Sequence, residues 1–310
     1  MTSIADYRKT GPNSMRPTEY DTFPKLLLRN ASLHANQPAV RHKIFGIWHT
    51  WTWARLSDEV CDLSTGLRAI GVNRSDTVAI VGHNRPDLYA VIIALQCLGA
   101  VPAPLDPDAQ DNELAELLRR SRAAVAIVQD QEQVDKITSA LNLLPDLTLI
   151  IFESERGLEK YDRHNLKSLA EIRQLGRNAS PAQRKRIWKD EIARGAGRDT
   201  CVRLFTAGTT DIPKAVSFEH ASVIRSAEIC NSVDGLTSAD VFFAHLPMAW
   251  MDGFLVSVGQ VFTAAACTCC PESPATVVEN WREIGPSIFH ALPQTLEEIA
   301  SDIMDRMRDA

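Results

Sequence analysis

The chain predicts an α/β fold of mainly parallel sheets flanked by helices. Three observations carry this. Short apolar, β-branched runs alternate with segments of helical period along most of the chain. Gly71, Gly99 and Pro86 fall at the junctions, where helices stop and start. With 310 residues and 45% hydrophobic content, the chain can also bury a sizeable core, as one large domain or two modest ones.

Residues 1–21 read as a polar leader, poorly ordered as termini often are. Thr22–Asn36 reads as a helix, and Ala39–Thr52 as two short strands around Ile44-Phe45-Gly46. Leu56, Val60, Leu63, Leu67 and Ile70 recur every three or four positions before Gly71, which defines an amphipathic helix. Thr77–Val81 is a buried strand, Pro86–Leu98 a helix ended by Gly99, and Val101–Leu105 a strand. Asn112–Ser121, Ala123–Val128, Val134–Leu143 and Leu147–Phe152 continue the alternation. The charged segment at about 153–199 reads as a surface helical insert, because strand-like sequence resumes at Cys201. Ala215–Phe218 is then a strand and Ala221–Asn231 a helix. Val241–Leu246 and Ala264–Cys270 are strands around an apolar helix. Thr276–Ile284 is a helix, Ser287–Ala291 a strand and Thr295–Arg308 a final amphipathic helix.

Bulk chemistry removes several function classes. A net charge of −6, from 33 basic and 39 acidic residues, argues against general nucleic-acid binding. The basic run Arg184-Lys185-Arg186 sits beside Asp190 and Glu191 and reads as a solvated helix face. The first 20 residues lack the apolar core of a secretion signal, so a cytoplasmic location is expected and the sequons at Asn30, Asn73 and Asn178 carry no weight. The apolar stretches Tyr89–Leu105 and Phe254–Cys270 fall short of the ~20 residues that span a bilayer. Cys267-Thr268-Cys269-Cys270 has no second ligand pair after it, so buried packing is expected there and no metal site. There is no Gly-x-Ser-x-Gly elbow, and isolated histidines such as His83 and His245 carry no functional reading.

The chemistry concentrates at residues 205–216, Phe-Thr-Ala-Gly-Thr-Thr-Asp-Ile-Pro-Lys-Ala-Val. Hydroxyls, free backbone N–H groups and one ammonium are the donors that grip phosphate oxygens. Pro213 and Ala215 stand where a Walker loop needs Gly and Ser or Thr, which excludes that motif. The stretch resembles the phosphate loop Thr-Ser-Gly-Thr-Thr-Gly-x-Pro-Lys-Gly of the adenylate-forming (AMP-binding) superfamily. Asn84-Arg85-Pro86-Asp87, Leu98–Pro102, Leu246–Trp250, Pro271–Pro274 and Arg282–Pro286 follow in that superfamily's order. The last three sets, with the charged insert before the loop, look most like bacterial long-chain fatty-acid–CoA ligases.

The resemblance implies ATP-dependent activation of a fatty acid to an acyl-adenylate, then thioester formation with coenzyme A, with Mg2+ accompanying ATP. By position, Thr206, Gly208, Thr209, Thr210 and Lys214 would hold the phosphates, with Lys214 and Thr210 in catalytic roles. Trp250, His290 and Pro293 would line the acyl site. The loop departs from the family pattern at Ala207, Asp211 and Ala215, and a carboxylate at 211 beside a phosphate costs on the order of 1–4 kcal/mol. Residues 22–310 are thus expected to form a partial, truncated adenylation domain that cannot complete the reaction alone. A rival reading is a non-catalytic remnant or regulatory module that keeps acyl or nucleotide binding. Fatty acid, ATP and CoA are the implied partners, with room for peripheral membrane association through the substrate and for self-association.

Overall fold

A computed structural model describes residues 19–206 and 213–308. α1 (Phe23–Leu33) starts at Thr22, whose hydroxyl accepts the Lys25 N–H at 3.4 Å, and it buries Phe23, Leu26 and Leu27. β1 (Pro38–Ile44) and β2 (Ile47–Thr52) form an antiparallel hairpin, Ile44 opposite Ile47. Phe45 and Gly46 join them at φ 48° and 76°, consecutive left-handed residues as in a type I′ turn. α2 (Trp53–Ala69) buries Leu56, Val60, Leu63 and Leu67, the stripe that its periodicity predicts.

The alternation then builds β3 (Thr77–Val81), α3 (Pro86–Cys97), β4 (Val101–Leu105), α4 (Asp111–Ser121) and β5 (Val125–Val128). α5 (Gln131–Ser139), β6 (Leu149–Phe152) and β7 (Leu166–Ser168) follow. The five strands form one wholly parallel sheet in the order β4-β3-β5-β6-β7. Strand alternation divides its faces: Val78 and Ile80 join one core, while Ala79 and Val81 join another with Leu114, Leu118, Val134 and Ile137 of α4 and α5. α3 is buried along its length apart from Asp87, touching β4 of this sheet and β1 of the next. Its all-round apolar sequence is what such a helix needs.

The segment predicted as a surface helical insert is instead woven into the fold. β7 extends the sheet, and α6 (Leu169–Arg177), with a Ser168–Glu171 capping box, buries Leu169 and Ile172 against α2. The two helices meet through glycines. A Cβ on Gly66 would lie 1.9 Å from the Ile172 carbonyl oxygen, and one on Gly176 would lie 1.8 Å from that of Asp62. Arg177 and Arg184 both donate to the Asp62 carboxylate, so only Lys185 and Arg186 of the basic run face solvent as predicted. α7 (Pro181–Lys185) runs on through a π-helical stretch, Arg186–Glu191, into Ile192–Arg194.

β8 (Thr200–Thr206) and β9 (Lys214–Glu219) form an antiparallel hairpin, and α8 (His220–Asp234) follows. β10 (Val241–Phe243), α9 (Met251–Phe254) with its π-helical continuation, and β11 (Cys267–Cys270) come next. β10, β11 and β1 run parallel in a second sheet ordered β10-β11-β1-β2. β10 stops three residues short of its predicted end because the Asn84 amide takes the Ala244 and Leu246 carbonyls. β11 starts late because Ala265, at φ 57°, ends the preceding helix. The predicted strand Ser287–Ala291 makes a single bridge, Ile288 to Phe242. α10 (Val277–Ile284) and α11 (Pro293–Arg308) close the described chain. All seven cysteines are free thiols, with Cys267, Cys269 and Cys270 buried. No described helix is long and apolar enough to cross a membrane.

Candidate active site

The β8–β9 hairpin is anchored at its base, while Thr206 and Lys214 at its far end are exposed. Cys201, Val202 and Leu204 are buried, the Gln96 amide donates to the Cys201 carbonyl at 2.8 Å, and Arg203 donates to the Thr77 hydroxyl at 2.8 Å. β8 lies beside β4, whose Pro102 and Pro104 have no N–H to offer a further strand. The hairpin therefore packs on the sheet without joining its ladder.

At the tip Thr206 stands opposite Lys214, and the Lys214 N–H donates to the Thr206 hydroxyl at 3.3 Å. Both residues are exposed. Gly208, Thr209 and Thr210, with the departures Ala207 and Asp211, lie outside the described residues. Ala215, the third departure, lies exposed on β9.

A crevice of about 70 Å3 joins this tip to two other segments. Phe205, Thr206 and Pro213 form one lip, Asp106 and Glu113 another, and Ala249 and Trp250 the third. Trp250 is 43% exposed and is the N-cap residue just before α9. Its segment is held from behind. Asn84 Nδ2 donates to Ala244 O at 2.9 Å and Leu246 O at 2.7 Å, and a Cβ on Gly253 would lie 2.1 Å from Pro247 O. The structure thus brings Thr206 and Trp250 to one crevice, with Lys214 across the hairpin.

His290 and Pro293 do not line that crevice. Both are exposed, beyond β10, where Phe289 stacks on His245 at 4.8 Å between ring centroids. Sequence reasoning gave no role to Asn84, Asp106 or Glu113. Asn84 belongs to the segment Asn84-Arg85-Pro86-Asp87, and its place in the turn between β3 and α3 is the signal that the sequence offers.

The sequence profile described as "AMP-binding enzyme" matches residues 27–309. The chain belongs to this family. Among its relatives, Long chain acyl-CoA synthetase 3 of Arabidopsis thaliana is 23% identical over 280 residues, covering 85% of this chain and 39% of its own length. Long-chain-fatty-acid–CoA ligase ACSBG2 of Xenopus laevis is 21% identical over 285 residues, covering 90% and 38%. The chain thus spans about two fifths of these relatives. The family fold recurs in the anthranilate CoA ligase AuaEII bound to anthranoyl-AMP, at TM-score 0.74 and 23% identity over 88% of this chain and 50% of that one. A long-chain-fatty-acid–CoA ligase (FadD1) of Archaeoglobus fulgidus gives TM-score 0.72 and 17% identity, covering 88% and 51%.

Proposed function

We propose that this chain is the phosphate-gripping and acyl-orienting part of a long-chain-fatty-acid–CoA ligase, with ATP, magnesium and coenzyme A as co-substrates. The observation that carries the reading is the meeting of Thr206, opposite Lys214, with Trp250 on one crevice. Family membership and the names of the relatives support it. Residues 22–310 act in it as part of an adenylation domain, after a polar leader over residues 1–21.

When bound, ATP supplies the adenylate that turns a carboxylate into a reactive mixed anhydride. The Thr206 hydroxyl donates from one lip, and the Lys214 ammonium adds a mobile charge from the facing strand. Thr210, with Gly208 and Thr209, completes the grip from the loop. Trp250 presents an indole wall against which the carboxylate end of the acyl group is oriented. Asp106 and Glu113 repel bare phosphate across the crevice, which favours nucleotide arriving with its divalent cation. His290 and Pro293 serve the acyl chain from the β10 side.

Calorimetric titration with ATP and magnesium, and separately with palmitate, tests this reading. Lys214→Ala is expected to weaken ATP binding about tenfold, and Trp250→Ala to weaken palmitate binding with ATP binding intact. A chain that binds neither ligand would sink the proposal. Pyrophosphate release with palmitate and coenzyme A then reads whether the bound ligands react.

A further inference from the structure

The β1–β2 hairpin ends in an apolar tip, Ile44-Phe45-Gly46-Ile47, that stands clear of the other described residues. Phe45 is 90% exposed, Ile47 62% and Ile44 41%. A Cβ built on Gly46 meets no atom within 4 Å. From Ile44 to Ala54 the sequence has no Lys, Arg, Asp or Glu. The turn's backbone makes the aromatic residue costly. Consecutive left-handed residues favour Asn-Gly, Asp-Gly or Gly-Gly, and a bulky side chain is strained there. Among the described residues four non-glycines take positive φ, Phe45, Ser75, Arg122 and Ala265, and Phe45 is the one large apolar side chain. At its exposure the ring gains almost no packing in return. Strain held under an exposed side chain points to a role outside the fold.

The hairpin is braced from behind. Lys43 and Trp48, a facing pair one step back from the tip, both donate to Glu283 of α10, at 2.7 and 2.9 Å. Glu272 accepts the Gly46 N–H at 3.2 Å, so that amide needs no water. Ile44 and Ile47 face each other on the side of the hairpin away from this brace. The tip is therefore a stiff, convex, uncharged wedge. The charges at its base are lopsided. Glu272, Glu279 and Glu283 stand against the ammonium of Lys43, which lies 2.7 Å from Glu283 and 3.8 Å from Glu279.

We propose that this tip is a membrane-docking wedge, which seats Phe45, with Ile44 and Ile47, in the interface of an electrically neutral, zwitterionic lipid bilayer. A narrow convex wedge needs a partner that yields around it, and fluid lipid does so without a preformed socket. The carboxylates at its base repel anionic headgroups. A tip-to-tip pair of chains would bring the same carboxylates face to face. Docking of this kind is reversible, because three side chains bury less apolar surface than a single lipid anchor chain. The tip supplies no lining to the Thr206–Trp250 crevice, and the proposal stands independently of the ligase reading.

Sedimentation of the full chain with sucrose-loaded phosphatidylcholine vesicles is the test, with a vesicle-free run to subtract self-association. Half of the protein is expected on the vesicles at on the order of 1 mM accessible lipid. Phe45→Asn gives the turn the Asn-Gly pair that it favours, so it should keep or raise the melting temperature while weakening vesicle binding at least about fivefold. Phe45→Trp, which keeps a large apolar ring, should bind within about twofold of wild type. Leu296→Glu with Ile303→Glu, both exposed on α11, should leave vesicle binding unchanged and so separate the wedge from that helix. Replacing about a third of the lipid by phosphatidylglycerol should weaken binding, more at low salt than at high. No binding at about 10 mM lipid, an unmoved Phe45→Asn variant, or binding that requires anionic lipid overturns the proposal. So does a Phe45→Asn variant that lowers self-association alone, which would assign the tip to a second copy of the chain.

Discussion

His220, the first residue of α8, accepts the Phe23 N–H on Nδ1 at 3.3 Å, and burial pushes its imidazole down to about 3. The unfolded chain, with an ordinary histidine near 6.5, therefore takes up the proton first as pH falls. The contribution to stability is complete above about pH 6.5 and is lost progressively toward pH 3, on the order of 5 kcal/mol at most. His42, pushed down to about 4 chiefly by burial, steepens the same acid limb. His220→Gln should flatten the fall in melting temperature between pH 6.5 and 5, and an unchanged slope would assign the acid loss to other groups. Asp211 presents a second charge effect at this scale, read from sequence because the residue lies outside the described region. Asp211→Gly should raise ATP affinity at least tenfold, more at low salt than at high, since the repulsion is Coulombic. An equal Kd in calorimetry would mean that the carboxylate points away from the nucleotide.

At the scale of elements, the α2–α6 contact makes the sharpest demand on sequence. With Gly66 and Gly176 each seated on the other helix's backbone, Gly66→Ala must push the helices apart, at a cost of about 3 kcal/mol. Thermal unfolding should show the loss, while Gly71→Ala tests a site where positive φ and open space leave backbone strain as the sole penalty. Equal stabilities for the two variants would contradict the tight seating. This contact also shows what the sequence hid. α2 was legible from its stripe, but α6 lay among arginines that read as surface. Arg173 and Arg177 instead reach Glu59, Asp87 and Asp62 on neighbouring elements, partners that no local pattern reveals. The ends of β10 were hidden for the same reason, because a side chain 160 positions away takes the Ala244 carbonyl. At the site, the Thr206–Lys214 string was legible as donor chemistry. Its meeting with Trp250 and Asp106 was not, because it depends on how the hairpin packs beside β4.

For the whole molecule, the apolar surface of α11 decides its behaviour in solution. Leu296, Ile303 and Met307, part of the stripe predicted for this helix, stand 52%, 50% and 72% exposed. Such a stripe favours association. Light scattering at micromolar concentration should find oligomers that Leu296→Glu with Ile303→Glu returns to monomer, with dye binding falling in step. A wild-type monomer would place the stripe among harmless surface residues.

The burial of α3 has a kinetic consequence. Because the helix touches a strand of each large sheet, neither sheet can open without uncovering the same apolar cylinder. Local fluctuations that expose its backbone are then as costly as unfolding both sheets together. In deuterated water the amides from Ala90 to Cys97 should retain their protons longest, at rates that follow the global unfolding free energy. Exposed β9 should lose its label early, so the strand that begins with Lys214 can rearrange around a ligand while the central helix keeps its label.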